Sequence, residues 1–561
     1  MNDILKTIAG GGQTWAHRMR MLRQVFRIAF TASLIVSSSF FCFKMFQEPK
    51  HKFQAIYYYV KGAFLGVISD RVMVSSNFLS SATGSDHTGT SSYVSAKNLE
   101  NLCEYGILTL WKSAKRELLF SSYIGIFAFF TFLLFFFLRG IHGSKKRHLS
   151  GNQIKKSLIY IPRPWKNHPL RLGKAILNPE SETSHMLISG GTGSGKTNAF
   201  HHLLPQIRKK GHKGIIIDLT GEFITRYYQK EKDFILNPFD NRGESWHPWA
   251  ECKTPFDIEA LAKCFIPTLG TEYDSYWKEA ASTVFASLLD KYQEEQDLEQ
   301  VVELLLRSPL IKLADVLEGT EGGAHIDPAG EKTAASIRSV ATNHLKSLKY
   351  LEKTDNPFSI RDWVQQETQD SWLFLSALPS QRASLIPLLS AWYGSAIRSL
   401  MEMPINSERR LWFINDELPA MQKINGLERC LTEGRKYGAC ALLAIQSPAQ
   451  IEAIYGNHSA KTIMANCSTK LVFAEQDPII AKKLSESFGE KEVQENQEGL
   501  SYGAHEMRDG VTQSFITRMR PVISPTDIQN LKRNEGYLKR PGKSSIEKVK
   551  LNYVNFSQKS N

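Results

Sequence analysis

At 561 residues with 42% hydrophobic content, the chain is long enough for a membrane segment and at least two soluble parts, which excludes one compact domain. Its formal charge of +13 favours a polyanionic partner or an anionic membrane surface. The seven cysteines, Cys42, Cys103, Cys252, Cys264, Cys430, Cys440 and Cys467, show no CxxC or zinc-knuckle spacing, so they read as free thiols and exclude a clustered zinc site.

Residues 1–27 carry Arg18, Arg20, Arg23 and Arg27 ahead of an apolar, serine-rich stretch from Ile28 to Phe43. Its serines can bond back to helix carbonyls and Lys44 can snorkel, so a first membrane span is expected over 28–46. Leu118 to Leu138 is 21 residues without a charge, enough to cross a hydrocarbon core of about 30 Å as a helix. Arg139, Lys145, Lys146 and Arg147 follow this second span, 118–138. Positive-inside bias then puts both soluble ends in the cytoplasm and residues 47–117 outside, although Lys112, Lys115 and Arg116 on the outer side oppose that bias. The span that follows, and a first apolar run starting more than 25 residues in, argue against a cleaved signal peptide.

His185 to Ser189 (HMLIS) reads as a short strand feeding into Gly190, Gly191, Thr192, Gly193, Ser194, Gly195, Lys196 and Thr197. This GxxxxGKT order has a physical reason at each place. Glycines let backbone N–H groups turn inward around phosphates, and the following helix N-terminus adds its positive end. Lys196 reaches the β- and γ-phosphates, and the Thr197 hydroxyl completes a magnesium shell. ATP and Mg2+ are the expected ligands. Ile215 to Asp218 (IIID) reads as the next strand, with TGEF from Thr220 to Phe223 at its edge; Asp218 either holds the strand-end geometry or belongs to an ordinary polar turn.

From about 245 to 360 the pattern becomes helical, in segments such as Asp257–Phe265, Trp277–Tyr292 and Thr333–Tyr350, so an all-helical insertion is expected there. Lys332, Arg338, Lys346 and Lys349 with Tyr350 suit phosphate contacts and occasional stacking, or form an ordinary solvated face. Sheet character returns at Trp372–Leu378, Leu411–Ile414, Ala439–Gln446 and Lys470–Ala474. Apolar strands alternating with helices imply an α/β, mostly parallel, two-sided sheet.

In RLWFINDE, Arg410 to Glu417, two acids emerge at the end of a buried strand, 220 residues beyond Lys196. Asp416 is expected to bind magnesium through water and Glu417 to polarise the attacking water. Gln446, at the end of a further strand, either contacts the γ-phosphate side or caps. Arg435, in EGRKYG, lies outside the cradle of its own loop and could complete a neighbouring subunit's site. Residues 531–561 hold eight Lys/Arg and read as a basic tail. No base-reading module is recognisable, so nucleic-acid contact would be through the backbone.

These residues resemble the conjugative coupling proteins of type IV secretion, TraD-type membrane ATPases related to the FtsK/HerA translocases. The resemblance is carried by GGTGSGKT at Gly190–Thr197, IIIDLTGEF at Ile215–Phe223, LNPFD at Leu236–Asp240 and EKTAASIRSV at Glu331–Val340. It continues through FINDELP at Phe413–Pro419, EGRKYG at Glu433–Gly438, AIQS at Ala444–Ser447 and SYGAHEMRDG at Ser501–Gly510, and is nearest the F-plasmid-like branch. It implies a RecA-like P-loop ATPase core in two parts, 139–244 and 361–530, with the all-helical domain at 245–360 inserted and a two-span anchor in front. It further implies a homo-oligomer, a hexameric ring, in a Gram-negative inner membrane, with residues 47–117 periplasmic, membrane lipids around the spans and the motor domain cytoplasmic.

By the same resemblance Gln446 is the sensing glutamine and Arg435 the intersubunit arginine, acting with Lys196 and Glu417 in catalysis, while Thr197 and Asp416 serve the metal. The implied partners are single-stranded DNA with covalently attached relaxase, relaxosome proteins and channel components. Many relatives carry a long C-terminal extension that captures relaxosome proteins; these 561 residues do not include it, and that contact is not carried over. A motor dedicated to effector-protein export would share every catalytic residue, and a nucleotide-switched receptor without turnover is the rival from outside the motors.

Overall fold

The computed structural model describes residues 13–65, 69–86, 91–143, 147–156, 169–268, 272–367, 370–501, 510–542 and 545–555. Lys145, Lys146, Lys543, Lys559 and the interior of SYGAHEMRDG lie outside the described residues. The chain divides into two compact units, Met1–Arg147 with Leu500–Gln513, and His148–Gly499 with Ser514–Asn561.

In the first unit, helices Gln13–Phe46 and Ala96–Gly143 each contain a stretch long and apolar enough to cross a membrane, with only 11% of its most apolar window buried. Exposed Phe30, Ile35, Phe127 and Phe137 explain why: a soluble core helix would bury them, whereas lipid solvates them. Hydroxyls inside the spans are returned to the helix, Thr31 donating to Arg27 O at 2.9 Å and Ser122 to Leu118 O at 2.7 Å, as the absence of water in lipid requires. Ser37 donates across to Ser121 O at 2.9 Å, and a Cβ on Gly125 would come 3.0 Å from Ser37 Cβ. Small residues thus set the helix approach.

The second helix has 48 residues, about 72 Å at 1.5 Å per residue, so it extends well outside the expected 118–138. Its first turns, with Leu99 and Cys103 buried, pack with helix Lys50–Leu65 and with the antiparallel pair β1 (Arg71–Ser75) and β2 (Ser91–Ser95). The segment expected to be external therefore has a core of its own.

The second unit begins with β3 (Arg147–Gly151), β4 (Gln153–Lys156), the hairpin β5 (Leu170–Leu172) and β6 (Ala175–Leu177), and then β7 (Met186–Ser189). Next come β8 (Lys213–Asp218) and β9 (Phe234–Leu236) and, after the helical insertion, β10 (Trp372–Ser376), β11 (Leu411–Asn415), β12 (Ala439–Ile445) and β13 (Thr469–Phe473). The long strands β14 (Glu490–Ser501) and β15 (Gly510–Pro521) are followed by β16 (Glu535–Lys539) and β17 (Ser545–Lys550). Ten of these form one sheet in the order β4-β17-β16-β13-β7-β12-β11-β8-β10-β9, parallel from β13 to β9.

The central strands read as continuous apolar runs because both faces are covered. Ile215, Ile217, Phe413 and Leu443 face the larger core, while Ile216, Ile414 and Leu442 face Phe200 and Leu203 of the helix that follows β7. Between β9 and β10 the described residues contain helices and turns only, including Pro255–Phe265, Glu272–Lys291, Leu298–Leu306, Leu310–Leu317 and Glu331–Leu345. Thr254 opens the first of these with a capping box to Asp257 and Pro255 at its first turn.

Two buried carboxylates tie the insertion to the sheet side. Glu251 accepts from Trp246 Nε1 at 2.9 Å and from the backbone of Ile360 and Arg361 at 2.7 and 2.8 Å. Burial alone would raise Asp257, but backbone donation from Lys253 and Thr254 and the Arg361 guanidinium, 2.9 Å away, hold it at about 2. Arg398, on the helix after β10, bonds the same carboxylate.

The basic tail expected at 531–561 is corrected. Residues 535–550 supply β16, antiparallel to β13, and β17, which pairs with β16 and β4. Leu538, Ile546, Val549 and Leu551 are buried between its charges, and the charges themselves are used. Arg540 bonds Glu547 and the carbonyl of Ile176, Lys539 donates to Ser487 O at 3.0 Å, and Lys548 pairs with Glu535 at 2.9 Å. The sheet therefore continues past residue 530, the expected end of the second core part.

Leu538→Ala should destabilise the second unit by about 2–5 kcal/mol, read as a lowered thermal midpoint of the detergent-solubilised chain. A midpoint unchanged from wild type would mean that this segment is a tail after all.

Candidate nucleotide site

The loop after β7 is shaped by glycines that no larger residue can replace. Gly195 has φ +124°, and a Cβ there would lie 2.6 Å from Asn534 Oδ1; a Cβ on Gly190 would lie 2.8 Å from Phe473 Cβ. Neighbours pin the loop from the β13 and β16 side, Gly191 N donating to Ala474 O at 2.8 Å and Asn534 N to Ser194 O at 2.9 Å. The helix Lys196–Lys209 begins at once, so its free N–H groups and positive end point into the loop, the ordinary construction of an anion site. Thr192 and Gly193 are exposed at the tip, and Ser194 Oγ is buried with no partner among the described atoms.

Lys196 Nζ donates to the carbonyls of Gly190 at 2.8 Å and Gly191 at 3.0 Å. Burial lowers its pKa, while Asp416, Glu417 and Glu475 oppose that shift. The strand order explains why residues so distant in sequence meet. β12 lies beside β7 and β11 beside β12, with Ile445 opposite Ser189 and Asn415 opposite Leu443, so Gln446, Asp416 and Glu417 all emerge at the edge from which the loop leaves.

Thr197 Oγ1 donates to Asp416 Oδ2 at 2.6 Å, and Asp416 Oδ1 is buried without a partner. Burial raises the Asp416 carboxyl to about 6, against the lowering effects of the Thr197 bond and Lys196. A hydroxyl beside an unpaired buried carboxylate oxygen is the hard-oxygen donor set that Mg2+ takes, with water completing its shell. Glu417 is half-exposed beside this pair, and Gln446 Nε2 donates to its Oε1 at 3.4 Å.

Arg435 is not part of this cluster. It is exposed in the turn Gly434–Tyr437 before β12, so the whole seven-residue strand, roughly 23 Å at 3.3 Å per residue, separates it from the loop edge. Asp218 holds the strand end: its carboxylate accepts from Thr220 N, Gly221 N and Ile224 N at 2.8–3.1 Å and so starts the helix Glu222–Tyr227. On the helical insertion Lys332, Lys346 and Lys349 are exposed, but Arg338 donates to the carbonyls of Leu305 at 2.9 Å and Ser308 at 2.5 Å. Its charge is spent on the C-terminal end of the helix Leu298–Leu306 and the residue pair that follows it rather than offered to phosphate.

Several neighbours of the site escape a reading from sequence. Arg382 Nη1 stands 3.9 Å from Glu417 Oε2 while its Nη2 donates to Leu219 O at 3.0 Å; its place just past the end of β10, on the same sheet edge, was the available signal. Glu475, buried at the end of β13, faces the loop from the other side. Asn198 bonds Asn534 Oδ1 at 3.3 Å and the backbone of Asn552 and Val554 at 3.0 Å, which brings the segment after β17 against the loop helix.

Because its folded pKa is raised, ionised Asp416 opposes folding above about pH 6, and the cost disappears below about pH 4, where folded and unfolded carboxyls are both protonated. Asp416→Asn should therefore raise the melting temperature at about pH 8, with the gain shrinking as pH falls. A gain that grows in acid, or none at alkaline pH, contradicts the buried charge.

Residues 169–552 match the family model described as the type IV secretion-system coupling protein DNA-binding domain. The chain is 33% identical over 456 residues to coupling protein TraD of Escherichia coli (strain K12), covering 79% of this chain and 64% of that protein. It is 26% identical over 352 residues to the type IV secretion system-coupling protein VirD4 of Bartonella henselae, covering 58% and 53%. Among solved structures, unbound TrwBΔN70, a bacterial conjugative coupling protein, matches with TM-score 0.66 at 25% identity over 73% of this chain and 95% of that one. Plasmid coupling protein TrwB with a non-hydrolysable ATP analogue matches with TM-score 0.65 at 25% identity over 74% and 97%. With the family model spanning most of the chain and a third of positions shared with a coupling protein along four-fifths of it, this protein belongs to the type IV secretion-system coupling proteins.

Proposed function

We propose that the chain is an inner-membrane coupling ATPase that recruits a relaxase–DNA complex and uses ATP hydrolysis to drive its transfer through a type IV secretion channel. The observation that carries this reading is the meeting of Thr197, Asp416, Glu417 and Gln446 at one sheet edge, beside the loop of Lys196. A nucleotide-binding receptor would need only the loop; an acid held half-exposed by an amide, next to a metal-type donor set, is what turnover adds. The solved TrwB structure that holds a non-hydrolysable ATP analogue supports nucleotide as the ligand.

In this reading the loop amides and Lys196 hold the triphosphate, and Thr197 with Asp416 would hold Mg2+, which would supply charge neutralisation on the phosphates. Glu417 accepts the proton of the attacking water, and Gln446 orients Glu417 through its amide N–H. Arg435 serves the site of the neighbouring subunit, because its own loop lies across the length of β12. The reading includes a ring of copies, a hexamer, in which each site is finished by the next subunit's guanidinium and phosphate release loosens that bond. The two apolar helices hold the ring in the membrane, with the nucleotide domains in the cytoplasm, where single-stranded DNA with attached relaxase, relaxosome proteins and channel components are met. The exposed Lys332, Lys346 and Lys349 remain for phosphate contact.

Glu417→Gln should lower DNA-stimulated ATP turnover by about 100-fold or more while leaving ATP affinity within a factor of about three. Substantial turnover in this variant refutes the assigned base. With protein concentration raised through assembly, the wild-type rate per subunit should climb steeply, and Arg435→Ala should abolish the climb; a rate that stays flat in the wild type sinks the shared site. Crosslinking of cargo during transfer separates DNA–relaxase export from export of effector proteins alone.

A further inference from the structure

The residues assigned so far act on the phosphates, and strand order indicates where the remainder of the nucleotide must go. The loop leaves β7 between two flanks: β12 and β11, which carry Gln446, Asp416 and Glu417, and β13 and β16 on the other side. The terminal phosphate belongs to the acidic flank, where it is cut. A triphosphate lying along the loop then directs its nucleoside past Thr197 and Asn198, toward the chain segment around β16 and β17. There a cavity of about 210 Å3 opens from Gly193, Gly195, Lys196 and Thr197 and is walled by Arg533 and Tyr553. Its volume is below the about 300–1,000 Å3 of a drug-sized pocket, room for one heteroaromatic ring system.

The Tyr553 side chain is 64% exposed, yet its backbone is firmly held. Asn552 O accepts from Asn198 Nδ2 at 3.0 Å and from His202 Nε2 at 2.8 Å, and Val554 N donates to Asn198 Oδ1 at 3.0 Å. Both neighbours of the tyrosine are thus fastened to the first turns of the loop helix, so the ring stands at a set distance from the phosphate cradle. The Arg533 guanidinium lies 5.6 Å from the ring centroid, adding a cation to the same platform. An exposed aromatic on a clamped backbone, bordering a small cavity that opens onto a phosphate loop, is an arrangement for stacking a base.

We propose that Tyr553, supported by Arg533, is the platform on which the base of a nucleoside triphosphate stacks when its phosphates occupy the loop. The assignment rests on the reading of Gly190–Thr197 as a nucleotide site and adds the residues that grip the nucleoside end. Stacking uses the face common to all bases, so the platform contributes affinity more than choice among bases.

The test compares binding of ATP and of inorganic tripolyphosphate, both with Mg2+, to the full chain in detergent. Tyr553→Ala should weaken ATP roughly tenfold or more and leave tripolyphosphate unchanged, while Tyr553→Phe, which keeps the ring, should bind ATP as the wild type does. Unchanged ATP affinity in Tyr553→Ala overturns the platform. Equal loss of both probes also overturns it, since the segment would then be supporting the loop rather than the base, and so does a Tyr553→Phe variant as weak as Tyr553→Ala. A wild-type chain that binds neither probe overturns the nucleotide reading itself, and the platform with it.

Discussion

One short contact organises the second unit: the Thr197 hydroxyl on the Asp416 carboxylate, 2.6 Å apart and part-buried, with the other carboxylate oxygen out of reach of solvent. It can form only if β7 and β11 run parallel with β12 alone between them, because that order brings a loop and an acid 219 positions apart to the same edge. The same low-dielectric setting makes the carboxylate reluctant to ionise, so it gains most from a cation and from the lysine beside it. Fold and chemistry share one requirement here: burial that creates the electrostatic demand also excludes water that would otherwise meet it.

The helical insertion is accommodated without disturbing that edge. It leaves after β9 and returns at β10, which lie together at the end of the sheet farthest from β4. Glu251 and Asp257 bind its entry and exit through backbone N–H groups and arginines. Each of these acids is nearly fully enclosed and is kept tolerable by several donors, as buried carboxylates must be. From β10 the chain passes into the helix Arg382–Met401, whose first residue stands beside Glu417. The element that follows the insertion therefore begins at the site.

Where local pattern and tertiary role coincide, the sequence was readable. GGTGSGKT, the apolar runs of β8, β11 and β12, and the acids closing β11 each announce themselves, because a fully covered parallel strand tolerates only apolar residues and its end must be polar. The helical stretch between β9 and β10 was legible for the complementary reason, its apolar spacing being helical over several turns. What was hidden depends on partners far away in the chain. β16 and β17 are short and carry or adjoin Lys539, Arg540 and Lys548, which are met by Ser487 O, by Glu547 with Ile176 O, and by Glu535 respectively; without those partners the segment reads as a solvated tail. Arg338 looked available for phosphate because the carbonyls it caps lie at and just beyond the end of another helix. Tyr553 and Arg382 belong to no motif and acquire meaning only from what the sheet sets beside them.

The pins on the phosphate loop come from residues 474, 534, 552 and 554, and β4 is bordered by β17. During synthesis, then, the membrane helices and the loop itself leave the ribosome hundreds of residues before the segment that fixes the loop's shape. Contacts of such long sequence separation form late, so a nascent chain can insert into the bilayer while its nucleotide cradle is still incomplete. The cradle takes its shape with β16, β17 and the segment after them, after the anchor is already seated.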